Sequence, residues 1–223
     1  MSGYNGFLDY QDNGTDFDAH SFVIKGILNR IATTTLVQVV KVSNAGELSP
    51  VGLVDVLPMV NQLDGEGTPT PHQVIHNLPY LRLQGGTNAI ILDPQVGDKG
   101  AAIFCSRDIS AVKRTKAPGN PGSARKYDWA DGLYIFGFLN GLPGQYVMFA
   151  GAGIKVVSPT KITLTAPSIE IDASAGLTIN ANTAAINANT AVTGTLTDNG
   201  HDVGSTHRHT STQSGTGISG IPQ

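Results

Sequence analysis

Along the first part of the chain the apolar positions change spacing several times. Thr15-Asp16-Phe17-Asp18 resembles a capping box with Asp in place of Glu, and Phe17, Ile24, Leu28 and Ile31 follow at helical intervals, so a helix is expected there. Apolar runs of strand character follow at Leu36–Val42 and Val51–Val56, separated by a turn at Asn44-Ala45-Gly46. Pro58 predicts that the second strand runs into an edge or a bulge. Leu81–Leu83 and Ala89–Leu92 flank Gly85-Gly86 and read as a hairpin. A turn at Asp93–Asp98 leads into a buried strand at Ala101–Cys105, and Ser106–Ile109 starts a short helical turn. Leu133–Phe138 and Tyr146–Phe149 are the last expected strands. Asp64–Asn77 and Lys116–Lys126 read as loops from their glycines and prolines.

From Lys161 onward the pattern changes. Ile162 and Leu164, then Ile169 and Ile171, then Leu177 and Ile179, then Ile186, then Val192 and Leu196 alternate with small polar residues. A new run returns every seven to nine residues, as Ile162, Ile169, Leu177 and Ile186 mark. Alternation is strand geometry, and a short regular period of strand and turn marks a β-solenoid. Each run offers only two or three modest apolar groups on one face, too little to offset backbone entropy in a lone chain. Three chains wound about one axis would pool those faces into a narrow core and pair every strand edge. The competing reading is a low-complexity linker rich in Ala, Ser and Thr, against which the recurring isoleucines argue.

Composition sharpens the division. All seven Phe, six Tyr and the single Trp lie at or before Phe149, and a compact domain without aromatics is hard to fill. The boundary is placed at Gly151-Ala152-Gly153. The expected organisation is therefore residues 1–150 as a barrel with an N-terminal helix, 151–200 as a shaft, and 201–223 as an apex. Five or so short strands with one helix and long loops fit a small Greek-key barrel of the OB type. The fold class is all-β. The net charge of -3 gives no reason to expect nucleic acid or an anionic membrane, and basic and aromatic residues are not interleaved on the barrel strands. No apolar run approaches the roughly 20 residues that span a bilayer, and Met1–Asp18 lacks the features of a signal peptide. Cys105, the only cysteine, lies in an apolar run and reads as an inert buried thiol.

Candidate chemistry is sparse. His72 and His76 are four residues apart, but prolines precede them and they read as exposed loop histidines. The stronger candidate is His207-Arg208-His209, because side chains two apart on an extended strand share a face. Two imidazoles hold a metal poorly; two from each of three chains would complete an octahedral shell. Imidazole suits iron, nickel, copper and zinc, and structural zinc prefers a tetrahedron, so the shell points to iron. Alone, such a pair reads as a solvated accident or a remnant of a purification tag; the periodic segment before it overturns that. Nothing marks an enzyme: there is no nucleophile-elbow motif, and the only close acids of the shaft, Glu170 and Asp172, fall on the solvent face of an alternating strand.

Together these features resemble the central spike at the baseplate tip of contractile-tailed bacteriophages. The likeness is carried by Asn199-Gly-His-Asp-Val-Gly-Ser-Thr-His-Arg-His-Thr with its Gly/Ser/Thr tail, by Leu78-Pro-Tyr-Leu, Val96-Gly-Asp-Lys-Gly and Phe104-Cys-Ser-Arg-Asp-Ile, and by Tyr127-Asp-Trp-Ala-Asp-Gly. It covers nearly the whole chain apart from Met1–Thr15. The resemblance implies an OB-fold domain, a triple-stranded β-helix and an apex in which His207 and His209 match the paired iron ligands, one iron ion per trimer on the axis. It further implies a homotrimer that docks on baseplate hub or tail tube proteins within the virion and meets the host outer membrane mechanically. Thr210 stands where glycine is frequent and Arg208 where a small polar residue is common; His201 lies outside the ligand spacing. The alternatives are a β-helical tail fibre that binds or cleaves surface polysaccharide, and the spike of a contractile toxin-delivery system.

Overall fold

The computed structural model describes residues 15–44, 48–64, 67–204 and 215, and the chain divides after Ile162 into two compact units. In the first unit, helix α1 (Asp16–Leu28) is capped as its sequence predicts: the Thr15 hydroxyl accepts from the Asp18 amide at 3.2 Å and donates to the Asp18 carboxylate at 2.6 Å. The helix buries none of its residues.

Strands β1 (Thr34–Ser43) and β2 (Leu53–Pro58) come next, followed by a two-residue pair, β3 (Gln62–Leu63) with β4 (Pro69–Thr70). Strand β5 (Ile75–Pro79) then precedes a hairpin of β6 (Leu83–Gly85) and β7 (Asn88–Ile90). Strand β8 (Lys99–Phe104), helix α2 (Ser110–Thr115) and strand β9 (Gly132–Phe136) complete the barrel region. Five strands form one antiparallel sheet in the order β5-β2-β1-β8-β9. Bulges lie between Val39 and Lys41 and between Val54 and Val56, where an extra residue bends a strand and increases its twist. The sheet curls until its two ends meet: Tyr80 and Tyr134 form one parallel bridge, and the Leu81 amide donates to the Tyr134 carbonyl at 2.9 Å.

The core follows from strand alternation. Val37 and Val39 of β1, Val54 and Val56 of β2, Ile75 and Leu78 of β5, and Ala102 and Phe104 of β8 point inward around Tyr134. Gly100 is required where the Tyr134 ring crosses β8: a Cβ there would lie 2.3 Å from the Ile135 carbonyl oxygen and 2.6 Å from the ring.

Several sequence expectations are corrected. Asp64–Asn77 is not a loop throughout, because its last residues enter β5, whose partner β2 supplies the ladder. Of the edge or bulge expected at Pro58, the edge is absent because β2 is interior, whereas β2 does carry a bulge between Val54 and Val56, and the proline is its last residue. The helical turn expected at Ser106–Ile109 starts instead at Ser110. Strand β10 (Tyr146–Ala150) does not join the barrel; it pairs with β11 (Gly153–Val157) in a separate exposed hairpin. No helix among the described residues is long and apolar enough to cross a membrane.

Candidate functional site

The first unit places its ionisable groups in structural roles. Asp131, fully buried, accepts from Arg125 Nε at 2.6 Å and Nη2 at 2.8 Å and from the Ile109 amide at 3.0 Å. Arg125 Nη2 also donates to Asp108 at 2.9 Å, while the Ser110 amide and the Ser123 hydroxyl donate to the same carboxylate. Hydrogen bonds from Ser110, then that from Ser123 and the Arg125 charge, lower Asp108 to about 2. The Arg125 hydrogen bonds hold Asp131 below the ordinary carboxylate range against its burial. At another part of the unit Arg82 clamps Asp93 through both oxygens at 2.6 and 2.7 Å and donates to the Ser49 carbonyl. These pairs fasten loops to the curled sheet, and a cleft of about 700 Å3 in the same unit is lined by His72, His76, Lys113, Arg125, Asp128 and Trp129 among others.

The two loop histidines are not alike. His76 is mostly exposed and lies 3.0 Å from Asp55, which its hydrogen bond helps to hold low despite some burial. His72 is half-buried and tilts against Trp129, ring centroids 5.1 Å apart, so its expected exposure is only partial. Cys105 is half-buried, and burial pushes its thiol up.

From residue 158, at the end of the first unit, the chain is built differently. Bends fall at residues 159–160, 167, 174–175, 182, 188 and 194, with runs of five or six residues between them that are neither helix nor strand. Pro159 and Pro167 occupy the first two bends, and Gly194, at φ 128°, the last. No backbone-to-backbone hydrogen bond is made by residues 158–195 among the described residues. Yet these runs carry Leu164, Ile171, Ile179 and Ile186, each about 70 % exposed. These residues thus combine exposed apolar side chains with backbone donors and acceptors that make no backbone-to-backbone hydrogen bond among the described residues.

The segment ends in a structured corner. Strands β12 (Thr197–Asp198) and β13 (His201–Asp202) form a hairpin across Asn199-Gly200, whose φ angles of 48° and 82° are those of a type I′ turn. The Val203 amide donates to the Leu196 carbonyl at 2.9 Å, and the Gly204 amide to the Asp202 carboxylate at 2.8 Å. His207 and His209 themselves lie outside the described residues. Among the described residues no group of three or more His, Cys, Asp or Glu is placed to hold a metal.

Sequence reasoning missed the buried Asp108–Arg125–Asp131 cluster; Asp108 and Asp131, each beside a turn, were the available signal. It also passed over the hairpin at Asn199-Gly200, although that dipeptide is the strongest short-range hairpin signal. No family model matches this chain, and no curated protein matches its sequence.

Proposed function

We propose that the chain is a homotrimeric, membrane-piercing spike at the baseplate tip of a contractile tail, and that it is not an enzyme. One observation carries the reading: residues 158–195 are neither helix nor strand, bend every six to eight residues, make no backbone-to-backbone hydrogen bond among the described residues, and expose their isoleucines and leucines. Three such segments wound together would pair each edge and bury each apolar row, giving a triple-stranded β-helix too slender for aromatic residues. An OB-type barrel at the N-terminal end is supported by the five-strand order, the central β1 shared between β2 and β8, and the parallel closure at Tyr80 and Tyr134.

In this reading the barrels dock on hub or tail tube proteins, and the shaft transmits axial force to the outer membrane. His207 and His209 from each chain would hold one iron ion on the axis. Its contribution would be to cross-link three C-termini that would otherwise fray, since ligation adds folding energy where no site exists in the unfolded chain.

Elemental analysis of tag-free protein together with its mass by light scattering tests the reading. About one iron per three chains in a trimer is expected. Replacing both histidines by alanine should remove the metal and leave the trimer intact. A monomer would overturn the shaft, and full metal content in the double variant would overturn the ligands.

A further inference from the structure

Helix α1 offers an apolar face that its own unit leaves open. Phe17, Ile24 and Leu28 line one side of it, flanked by Val23 and Ile27, and each of the five is more than half exposed. The helix cannot simply swing inward. The amides of Asn29, Arg30 and Ile31 bond back to Lys25, Ile27 and Leu28, the Ala32 amide bonds to the Tyr127 carbonyl, and the Phe104 amide bonds to the Thr33 carbonyl. The connection to β1 is therefore tied down along its length.

The same unit has an unfilled groove of about 660 Å3 beside α2, walled by Val51, Leu53, Val112 and Leu133, with Cys105 among its lining residues. Lys113 and Lys116 are among its lining residues; the Lys113 ammonium donates to the Asn77 and Ala130 carbonyls at 3.2 Å, and neither lysine makes an ion pair among the described residues. The helix carries Asp16 and Asp18 in its first turn, ahead of its apolar face. The groove presents lysines beside apolar walls and the helix presents acids beside an apolar row, so their charges are complementary.

We propose that α1 of one protomer docks in this groove of the next, its apolar row against Val51, Val112 and Leu133 and its acidic first turn towards Lys113 and Lys116. This rests on the trimeric reading above, and deepens it by naming a contact outside the shaft. Each chain carries one copy of α1 and one of this groove, so head-to-tail docking of three chains closes a ring and leaves neither unfilled.

The native cysteine provides the test. Ile24→Cys places a second thiol on the docking face, and a short bismaleimide is added to the trimer confirmed by light scattering. The expected product is a chain of three protomers on a denaturing gel, absent from Phe22→Cys, whose residue lies on the other side of the helix, and from Ile24→Cys with Cys105→Ser. Ile24→Cys with Val112→Cys and Cys105→Ser repeats the test at a groove residue that is more open. A trimer by mass in which both designs yield only single-chain products, bridged or unbridged, overturns the docking and leaves the spike reading standing. A monomer by mass with no bridge between chains overturns both.

Discussion

Ile179→Asp separates a shaft from a linker with one substitution. Ile179 is 72 % exposed on the single chain, so burial of three copies at a common axis is the quantity at stake. Burying one isoleucine side chain contributes about 1.5–3 kcal/mol, hence about 5–9 kcal/mol for three. Three carboxylates brought together would add repulsion of about 3 kcal/mol per pair at a separation of roughly 6 Å and an effective dielectric constant of about 20. A loss above about 10 kcal/mol exceeds the stability of a typical domain, so the variant should elute as a monomer or aggregate. Thr178→Asp, one position along and on the opposite face, should remain trimeric. If the segment were a solvated linker, both positions would be plain surface and each change would stay within about 0.5 kcal/mol. Light scattering at micromolar concentration reads the outcome. An Ile179→Asp trimer that melts with the unaltered protein would refute the inward assignment.

Three further outcomes concern the barrel. Asp131→Ala should cost about 3 kcal/mol, the lower end for breaking a buried pair, because Arg125 is one-third exposed and keeps Asp108; urea unfolding followed by Trp129 fluorescence checks it, and a loss below about 1 kcal/mol contradicts the role given to the cluster. Asp108 is lowered from 3.8 to about 2 and Asp131 is lowered too, so the folded state binds their protons less tightly than the unfolded state. The stability they confer is complete above about pH 4 and lost as pH falls towards about 2; acid titration by the same fluorescence should show that slope, flattened in Asp108→Asn. Gly100→Ala should destabilise by about 1–3 kcal/mol, since its Cβ meets backbone oxygen at 2.3 Å, whereas Gly119→Ala, with nothing nearer than 4.0 Å, should be neutral in the same unfolding assay.

What the sequence shows of this fold is whatever neighbours in the chain decide. The strand expected around Val51–Val56 forms as Leu53–Pro58, Thr15 caps the helix it precedes, and Gly86, at φ 58°, turns the β6–β7 hairpin. Pairings between distant segments were not legible. Nothing local says that Ile75 lies beside Val56, or that β10 turns back on β11 rather than extending the barrel. Arg125 sits in a stretch whose prolines and glycines read as loop, and its two carboxylate partners are 17 and 6 residues away. The same limit governs the candidate shaft: a two-residue period specifies which side chains share a face, but is silent on whether the partner strand belongs to the same chain.

Open edges carry a hazard that the second unit handles through its bends. Long flat runs of unpaired, apolar β backbone invite unlimited stacking. Here no extended run exceeds six residues, and Pro167, which has no amide proton to donate, stands between the runs that hold Leu164 and Ile169. A strand that must bend every six to eight residues cannot lie in register on a flat sheet of its own copies, but it can wind around an axis with two others. In the proposed trimer, the interruptions that make residues 158–195 irregular in a single chain would therefore select a closed bundle over an open fibre. Replacing Pro167 with threonine, a strong strand former, would lengthen two runs into one and should shift the purified protein from trimer towards aggregate in the light-scattering profile.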